Sequence, residues 1–458
     1  MPTQLPVHIV QNPSDGFRRL PHLETSEPDL RVSFDLIGGD HIRARMSGPA
    51  LQALSIGEHR ADLAASPKEV SAAAARLRGR WKEVLVDHQP ADGQGRALRE
   101  RPRPYSSSAD LSREPEEELR KALTELTRSG ASLLFDDLLG GDDQPTVWFR
   151  TYLSDILARK EGLRIRFDSD ALHLPWPMLC LEPDDAETLD GLFARFLGYR
   201  HQIEHTGDAY PSFAYRPLGG AAASRSWFRQ WRNSEASWFR GWRDRNLKAA
   251  VSLNHNPDVG VKSRAREVEA ALTKGTRYTE RTTYDDLVAA LEQQDLDEQL
   301  MYFWCHAEFV SNTSEPPRLG IRLSDGRLFD GHTVRELRAR YRWVPTPFRP
   351  FVVLNTCYGG VPAGDGDRAF LGRRLIEYGA RGVLGPQIEM PQMFAAEYAL
   401  EFVTRFLRGK ETAGKISHDL ARHFAAKYRN PLGCAYALHC GMDARLERAQ
   451  GISGDHDH

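Results

Sequence analysis

The sequence has little of what marks secreted, membrane-spanning or nucleic-acid-binding proteins. It has five cysteines in 458 residues, too few for a disulfide framework in so long a chain, so we expect a reducing, cytoplasmic location. Its longest apolar runs fall well short of the roughly 20 residues of a membrane span, and its first residues lack the basic and apolar regions of a signal peptide. The 61 basic and 63 acidic residues leave a formal charge of -2, which favours direct binding neither to nucleic acid nor to a membrane surface.

Patterns that bind metals or phosphates are also missing. The cysteines form no CxxC pair, and Cys305 and His306 are neighbours in a predicted strand, where successive side chains point to opposite faces. The run GDGD at 364–367 is not followed by the Gly-Lys-Ser/Thr of a phosphate-binding loop. We therefore expect neither a metal ion nor a cofactor.

Composition and periodicity divide the chain into six predicted segments. Alternating apolar residues around Gly38-Gly39 predict a β-hairpin, and Ser66 followed by Pro67 predicts the start of a helix. A later run rich in Pro, Gly, Ser and Arg has no periodicity and predicts a linker. The segments are a flexible lead-in (1–29), a small N-terminal α+β module (30–88), the linker (89–115), a supporting half (116–245), a regular α/β half (246–445) and a flexible tail (446–458).

The regular half predicts the fold class. From residue 247 onward, short apolar strands alternate with amphipathic helices, a pattern typical of an α/β protein whose mostly parallel sheet is covered by helices on both faces. Thr333 and Glu336 form a predicted capping box for one of these helices. Upstream, residues 163–183 are predicted to form two short strands around a turn.

The supporting half contains one internal repeat. SWFRQWR (226–232) and SWFRGWR (237–243) lie eleven residues apart, about three helical turns, so a helix here would carry its tryptophans on shared faces. Such a helix either packs against the neighbouring domain or forms a docking surface for a partner, because Trp and Arg are enriched at interface hot spots.

Two predicted strands end on residues with catalytic chemistry. The run MYFWCH ends on His306 and the run FVVLNTC ends on Cys357. Neighbouring parallel strands would bring both side chains to one edge of the sheet, where ligands of such folds bind. Nucleophilic cysteine chemistry needs an imidazole beside a thiol, and Gly359 and Gly360 would let a substrate approach the backbone closely. The alternative is a small buried thiol and a core histidine without a catalytic role.

The order of these motifs resembles that of the CHAT peptidases of the caspase-like clan. A strand ending in histidine, an LSDGRL hairpin, a helix and a strand ending in NTCYG follow one another as is typical of that family. LGRRLIEYGARGVLGPQ is similar to the family's helix that leads through a Gly-Ala step into the next strand, and DSDALHLPWPML to its hairpin before a Pro-Trp-Glu motif. The resemblance covers roughly residues 116–445, is most specific around 299–360, and implies a caspase-like sheet whose catalytic half is 246–445.

The resemblance implies roles for individual residues. Cys357 would be the nucleophile and His306 its general base, and the backbone N–H groups of Cys357 and Ala307 would form the oxyanion hole. Ala307 replaces the family's glycine, which is compatible with this role if its backbone is unstrained. Pro177 replaces the glutamate of the Pro-Trp-Glu motif.

A substrate pocket is predicted in less detail. In this clan an acidic pocket often selects a basic residue before the scissile bond. The acidic candidates here are Asp365, Asp367 and Glu389, which follow Cys357 or the next strand. Asn254 follows the first strand of the regular half and is predicted to border the same cleft.

The resemblance also implies a biological setting. We expect an endopeptidase that acts on a protein substrate in bacterial signalling or antiviral defence, with a gasdermin-like pore former as a candidate substrate and a sensor or regulator chain as a candidate partner. The main alternative is a catalytically silent scaffold that binds a partner through its tryptophan-rich helix. A flavodoxin-like small-molecule binder is disfavoured because no glycine-rich phosphate turn follows the first strand.

Overall fold

The computed structural model describes most of the regular elements expected from the sequence. The described residues are 27–38, 40–51, 59–90, 96–98, 100, 102–169, 172–182, 188–207, 248–260, 263–293, 296–310, 318–340, 348–357, 359 and 371–446. The predicted tryptophan-rich helix and nearly all of the predicted lead-in and tail lie outside these residues.

The helices and strands are as follows. The strands are β1 (Leu30–Ile37), β2 (His41–Ser47), β3 (His59–Leu63), β4 (Arg164–Asp168), β5 (Gln202–Thr206), β6 (Ala250–His255), β7 (Arg277–Arg281), β8 (Leu300–Trp304), β9 (His306–Val310), β10 (Arg318–Arg322), β11 (Leu328–Asp330), β12 (Phe351–Leu354), β13 (Gly382–Pro386) and β14 (Tyr436–His439). The α-helices are α1 (Pro67–Trp81), α2 (Pro104–Ser107), α3 (Glu116–Ser132), α4 (Gln144–Arg159), α5 (Leu189–Phe193), α6 (Leu197–Arg200), α7 (Ala265–Thr273), α8 (Tyr284–Glu292), α9 (Gly331–Arg340), α10 (Leu371–Tyr378), α11 (Gln392–Leu407) and α12 (Ala413–Tyr428). One π-helical turn follows α1 (Lys82–Val86) and another follows α3 (Leu133–Leu138), and short 3-10 turns span Trp176–Met178 and Pro431–Ala435.

Most strands of the described chain belong to one large sheet. It has eleven strands in the order β3-β2-β1-β4-β5-β14-β13-β12-β8-β6-β7. The ladders joining β13, β12, β8, β6 and β7 are all parallel, and so are those joining β1, β4, β5 and β14. Only β14 against β13 and the β1-β2-β3 ladders are antiparallel. This topology confirms the predicted α/β class with a mostly parallel sheet.

Helices cover both faces of the sheet. Along β8, the buried side chains of Leu300 and Tyr302 belong to the core packed by α7, α11 and α12, whereas Met301 and Phe303 belong to a second core packed by α8, α9 and α10. A strand buried on both faces needs apolar side chains at every position, which is why this stretch reads as an uninterrupted apolar run.

The N-terminal hairpin extends this same sheet. β1 pairs in parallel with β4, with Val32 opposite Phe167. α1 begins as predicted: the side chain of Ser66 accepts a hydrogen bond from the backbone N–H of Glu69, whose carboxylate accepts one from the backbone of Ser66. The boundary of the N-terminal module stays a prediction, but its first strand shares a ladder with the supporting half.

Part of the predicted linker is packed against the protein. Tyr105 in α2 is fully buried and its ring stacks on that of His88, with 4.6 Å between ring centroids. Leu111 is also fully buried, and its N–H donates to the carbonyl of Tyr428. These anchors attach the described part of the segment to the core.

Two local predictions are wrong. Only the first part of 163–183 forms a strand, β4, whereas Trp176–Met178 is a 3-10 turn, because Pro175 and Pro177 have no N–H to donate to a ladder. Asp330, rather than Thr333, caps α9: its carboxylate accepts a hydrogen bond of 3.0 Å from the backbone N–H of Thr333.

Candidate active site

The two residues of the predicted dyad follow two neighbouring parallel strands of the large sheet. Leu354 of β12 lies opposite Phe303 of β8, and the N–H of Asn355 donates to the Phe303 carbonyl at 3.1 Å. Cys357 is three positions beyond Leu354, and His306 is three positions beyond Phe303. Both residues therefore follow the carboxyl ends of neighbouring strands, the edge where ligands of such sheets bind.

His306 occupies a different element from the one predicted. β8 ends at Trp304, and His306 is the first residue of β9, where it lies opposite Arg322 in the small antiparallel sheet β11-β10-β9. The chain leaves the large sheet at Cys305, whose thiol is buried and lies 3.5 Å from the Asn254 carbonyl. His306 is exposed to solvent, as a residue that meets a substrate must be.

Cys357 is half-buried, and its surroundings favour the protonated thiol. Burial raises the pKa of Cys357, and the negative charge of Glu389 adds to that rise. A hydrogen bond with the backbone of Met390 and the positive charge of Lys82 act in the opposite direction but do not cancel it. Among the described contacts, no hydrogen bond joins the His306 ring to this thiol. The thiol therefore faces the segment after β13.

A buried asparagine fixes the strand end just before Cys357. The amide nitrogen of Asn355 donates to the Tyr302 hydroxyl at 3.0 Å and to the Ala395 carbonyl at 2.9 Å, and its amide oxygen accepts from the Tyr436 hydroxyl at 2.7 Å. These bonds connect β12 to β8, α11 and β14. Sequence analysis missed this role, although an asparagine at the end of a fully apolar run was a signal that could have pointed to it.

Gly359 is needed for the tight turn after the strand. A Cβ atom at this position would lie 2.4 Å from the Leu354 carbonyl oxygen, and the Gly359 N–H donates to the Thr356 carbonyl at 2.9 Å. The glycine therefore lets the chain fold back on its own strand, which is a different reason from the substrate approach predicted for it. Gly360 lies outside the described residues.

Ala307 has the backbone that its predicted role requires. It lies opposite Ile321 in the regular β9–β10 ladder, and it is not among the positive-φ residues of the described chain. Replacing glycine by alanine therefore introduces no strain at this position. Its role in an oxyanion hole stays a prediction.

Asn254 lies in the interior rather than on the cleft. Its side chain is fully buried, and its amide nitrogen donates to the Ser252 hydroxyl at 3.2 Å. The same internal network contains the buried ion pair of Arg281 with Glu298 at 2.6 Å, and the Glu298 carboxylate also accepts from the Ser252 hydroxyl. This position corrects the prediction that Asn254 borders the substrate, because a residue closed in by its own network cannot reach one.

Of the three acidic candidates for the substrate pocket, only Glu389 lies among the described residues. Asp365 and Asp367 lie outside the described residues. Glu389 lies just after β13, with its carboxylate 3.3 Å from the Lys82 ammonium. It is the described acidic residue whose charge acts on the Cys357 thiol.

The other four cysteines occupy different environments from that of Cys357. Cys180, Cys305 and Cys434 are buried, and burial raises the pKa of Cys305 and of Cys434 to about 12. Cys440 is half-buried, with a pKa raised well above its usual value by burial. The pKa of the Cys357 thiol is raised by burial as well, so no acidic thiol distinguishes it from the other four.

The Pro-Trp-Pro motif has a packing role. Trp176 is 1% exposed, and its ring stacks on Phe167 of β4 with 3.8 Å between centroids and on Phe34 of β1 with 5.4 Å. It therefore joins the N-terminal hairpin to the supporting half.

The described part of the chain holds neither a metal-binding cluster nor a membrane-spanning helix. Within the described ranges, no three His, Cys, Asp or Glu side chains are grouped so that they would hold a metal ion. None of the helices in the described part of the chain is long and apolar enough to cross a membrane.

Comparisons with known proteins bear on the family. Residues 158–423 match the CHAT domain family, which is more than half of the chain. A probable protease of Vitiosangium sp. (strain GDMCC 1.1324) is 26% identical over 139 residues, which is 30% of this chain and 17% of that protein. The chain thus spans less than a fifth of the length of this relative.

Among solved structures, the chain is similar to two proteins at low identity. The Saccharomyces cerevisiae separase–securin complex matches over 90% of this chain and 30% of that one, with 9% identity and a TM-score of 0.42. The Arg-specific cysteine proteinase gingipain R matches over 65% of this chain and 68% of that one, with 11% identity and a TM-score of 0.38. On the family match over residues 158–423, the chain belongs to the CHAT domain family.

Proposed function

We propose that this chain is a cysteine endopeptidase that cleaves a protein substrate, with Cys357 as the nucleophile and His306 as the general base. The observation that supports the proposal is the parallel pairing of β8 with β12, because Cys357 and His306 each lie three positions beyond the paired residues Leu354 and Phe303. The exposure of His306 and the partial exposure of Cys357 support it, because a polypeptide must reach both groups.

The chemistry runs in two half-reactions. His306 accepts the thiol proton, the Cys357 thiolate attacks the scissile carbonyl carbon, and the imidazolium returns the proton to the leaving amine as the peptide bond breaks. Water, deprotonated by His306, then hydrolyses the thioester, which releases the new carboxyl terminus and restores the thiol. The backbone N–H groups of Cys357 and Ala307 would donate to the oxyanion in each step, at about 3–4 kcal/mol per donor.

The described arrangement corresponds to a resting state in this proposal. The raised pKa of Cys357 keeps its thiol protonated at neutral pH, and the thiol bonds to the Met390 backbone instead of His306. Catalysis therefore requires the thiol to exchange Met390 for the imidazole, which would lower its pKa by pairing the thiolate with a cation. Activation by a sensor or regulator chain fits this requirement.

The biological setting rests on family resemblance. We place the protein in bacterial signalling or antiviral defence, in the cytoplasm, with a gasdermin-like pore former as the candidate substrate. A second protein that holds the site open would be the regulator.

The experiment compares matched variants of the full chain. A peptide library and an acyloxymethyl ketone peptide probe are incubated with the parent, Cys357→Ala and His306→Ala, and with the controls Cys440→Ala and His332→Ala. We expect a loss of cleavage of roughly a thousandfold or more for the first two variants, labelling of Cys357 alone, and parent-like cleavage by the controls. Urea unfolding of each variant shows that it remains folded. Cleavage that survives Cys357→Ala would contradict the proposal.

A catalytically silent scaffold is the second candidate. The raised pKa of Cys357 favours it, because a thiol that stays protonated is a poor nucleophile. It predicts that Cys357→Ala leaves the biological effect of the protein intact, whereas a peptidase would lose it.

A further inference from the structure

The end of α1 lies against the segment that lines the Cys357 thiol. Lys82 opens the π-helical turn after α1, and its ammonium lies 2.8 Å from the Asp87 carboxylate and 3.3 Å from that of Glu389. One helical turn earlier, the Arg78 guanidinium donates to the Gln387 side-chain oxygen at 3.0 Å. Two cations of the N-terminal segment therefore contact residues 387–390.

That segment runs beside the strand end that carries the nucleophile. Val353 of β12 lies opposite Leu384 of β13, and Thr356 and Gln387 each lie three positions beyond this pair. Ile388 and Met390 are buried, and the Met390 backbone contacts the thiol. The segment thus lies beside the Cys357 thiol.

We propose that the Lys82–Glu389 ion pair is a latch by which the N-terminal segment holds residues 387–390 closed against Cys357. The inference rests on the proposed function, since it assigns regulation to the same thiol. An agent that moves the end of α1 would break the pair, free the segment and let the thiol leave Met390 for His306.

The Lys82–Glu389 ion pair is weak enough to form and break reversibly. The Lys82 and Glu389 side chains are 32% and 48% exposed, so solvent screens the pair, and exposed pairs of this kind are weak. Asp87 keeps Lys82 paired after release, because Lys82 contacts both carboxylates. The ammonium therefore need not lose all its partners when the latch opens.

The test is the alkylation rate of Cys357 by iodoacetamide, followed by peptide mass spectrometry between pH 6.5 and 10. The plateau rate at high pH reports access to the thiol, and the midpoint reports its pKa. Lys82→Met should raise the plateau rate about two- to fivefold, the factor that corresponds to one exposed ion pair. Lys68→Met, on an exposed position of the same helix, should leave it unchanged.

Electrostatics alone predicts the opposite result. The charge of Lys82 lowers the thiol pKa, so its loss would raise the midpoint and slow alkylation at neutral pH without changing the plateau. A plateau unchanged or lowered in Lys82→Met would overturn the latch. So would a parallel rise at Cys440, the other half-buried cysteine, since it would indicate general loosening.

Exchanging the charges of Lys82 and Glu389 should restore the ion pair and with it the parent alkylation rate. Lys82→Glu should raise the plateau rate by at least as much as Lys82→Met, and the double variant Lys82→Glu with Glu389→Lys should return it to within twofold of the parent. A double variant as fast as the single one would overturn the latch. Alkylation needs no peptidase activity, so the latch can stand even if Cys357→Ala leaves cleavage intact and the proposed function fails.

Discussion

Removing the hydrogen bonds of Asn355 tests whether this residue fixes the end of β12 before Cys357. This residue is 4% exposed and joins the Tyr302 hydroxyl, the Ala395 carbonyl and the Tyr436 hydroxyl. Asn355→Ala leaves three buried polar groups without these bonds. A buried group left unpaired costs about 1–3 kcal/mol, and since the two hydroxyls are free to rotate toward other acceptors, we expect a total near the lower bound, about 3–5 kcal/mol.

A second variant, Tyr436→Phe, distinguishes the energetic effect of losing a hydrogen bond from that of losing side-chain volume. Tyr436→Phe removes only the 2.7 Å bond to Asn355 and should cost about 1 kcal/mol. The double variant should cost less than the sum of the two single ones by about 1 kcal/mol, because both lose the same bond. Urea unfolding with a common slope gives all three free energies of unfolding.

The same variants also report the effect of this network on the reactivity of Cys357. Because Asn355 precedes Cys357 by two positions, its loss should also raise the alkylation rate of that thiol. A cost below about 1 kcal/mol for Asn355→Ala, or costs of the two single variants that simply add, would refute the argument that this network fixes the strand end.

Three further predictions concern other parts of the fold. Burial lowers the pKa of His173 and of His201 to about 3, so the unfolded chain binds more protons below pH 6.5, and stability should fall by roughly 1.4 kcal/mol per pH unit for each histidine as the pH drops toward 3. Glu298→Ala should cost about 3–5 kcal/mol in urea unfolding, because it leaves the Arg281 guanidinium buried without its 2.6 Å partner. Gly359→Ala should cost about 1–3 kcal/mol and change the Cys357 alkylation rate, because its Cβ would clash with the strand carbonyl.

Each of these has its own control. His201→Gln should flatten the decline in stability between pH 6.5 and 5, and an unchanged slope would contradict the assignment to buried histidines. Glu267→Ala breaks an exposed pair and should cost less than about 1 kcal/mol, so equal losses for Glu267→Ala and Glu298→Ala would contradict the burial argument. Gly326→Ala, at a positive-φ turn with no neighbour near its Cβ, separates steric clash from backbone strain.

The two strands that lead to the candidate site were predictable because they are short and buried on both faces. The apolar runs that became β8 and β12 predict strands, and the rule that ligands gather at the carboxyl ends of parallel strands points to His306 and Cys357. The details at the strand ends were not predictable to the same degree. That His306 opens a new sheet depends on the chain turning away at Cys305, and neither residue type dictates such a turn.

The substrate-side predictions show the same limit. Asn254 follows a strand as a cleft residue would, but its amide is drawn into a network with Ser252 and the buried Arg281–Glu298 pair. Whether a polar residue at a strand end faces outward or inward depends on partners from other strands. Those partners are distant in the sequence, so no local pattern reveals them.

The sequence by itself determined the α/β class, the sites of most helices and strands and the family resemblance, and it predicted the dyad of His306 and Cys357, because these depend on local periodicity and on the order of motifs along the chain. Only the tertiary structure decided that β1 joins β4, that Trp176 packs between them, and that Lys82 contacts Glu389 beside the thiol. Contacts between residues far apart in the chain form only when the folded core brings them together. The local sequence of each segment does not specify which distant segment it will contact.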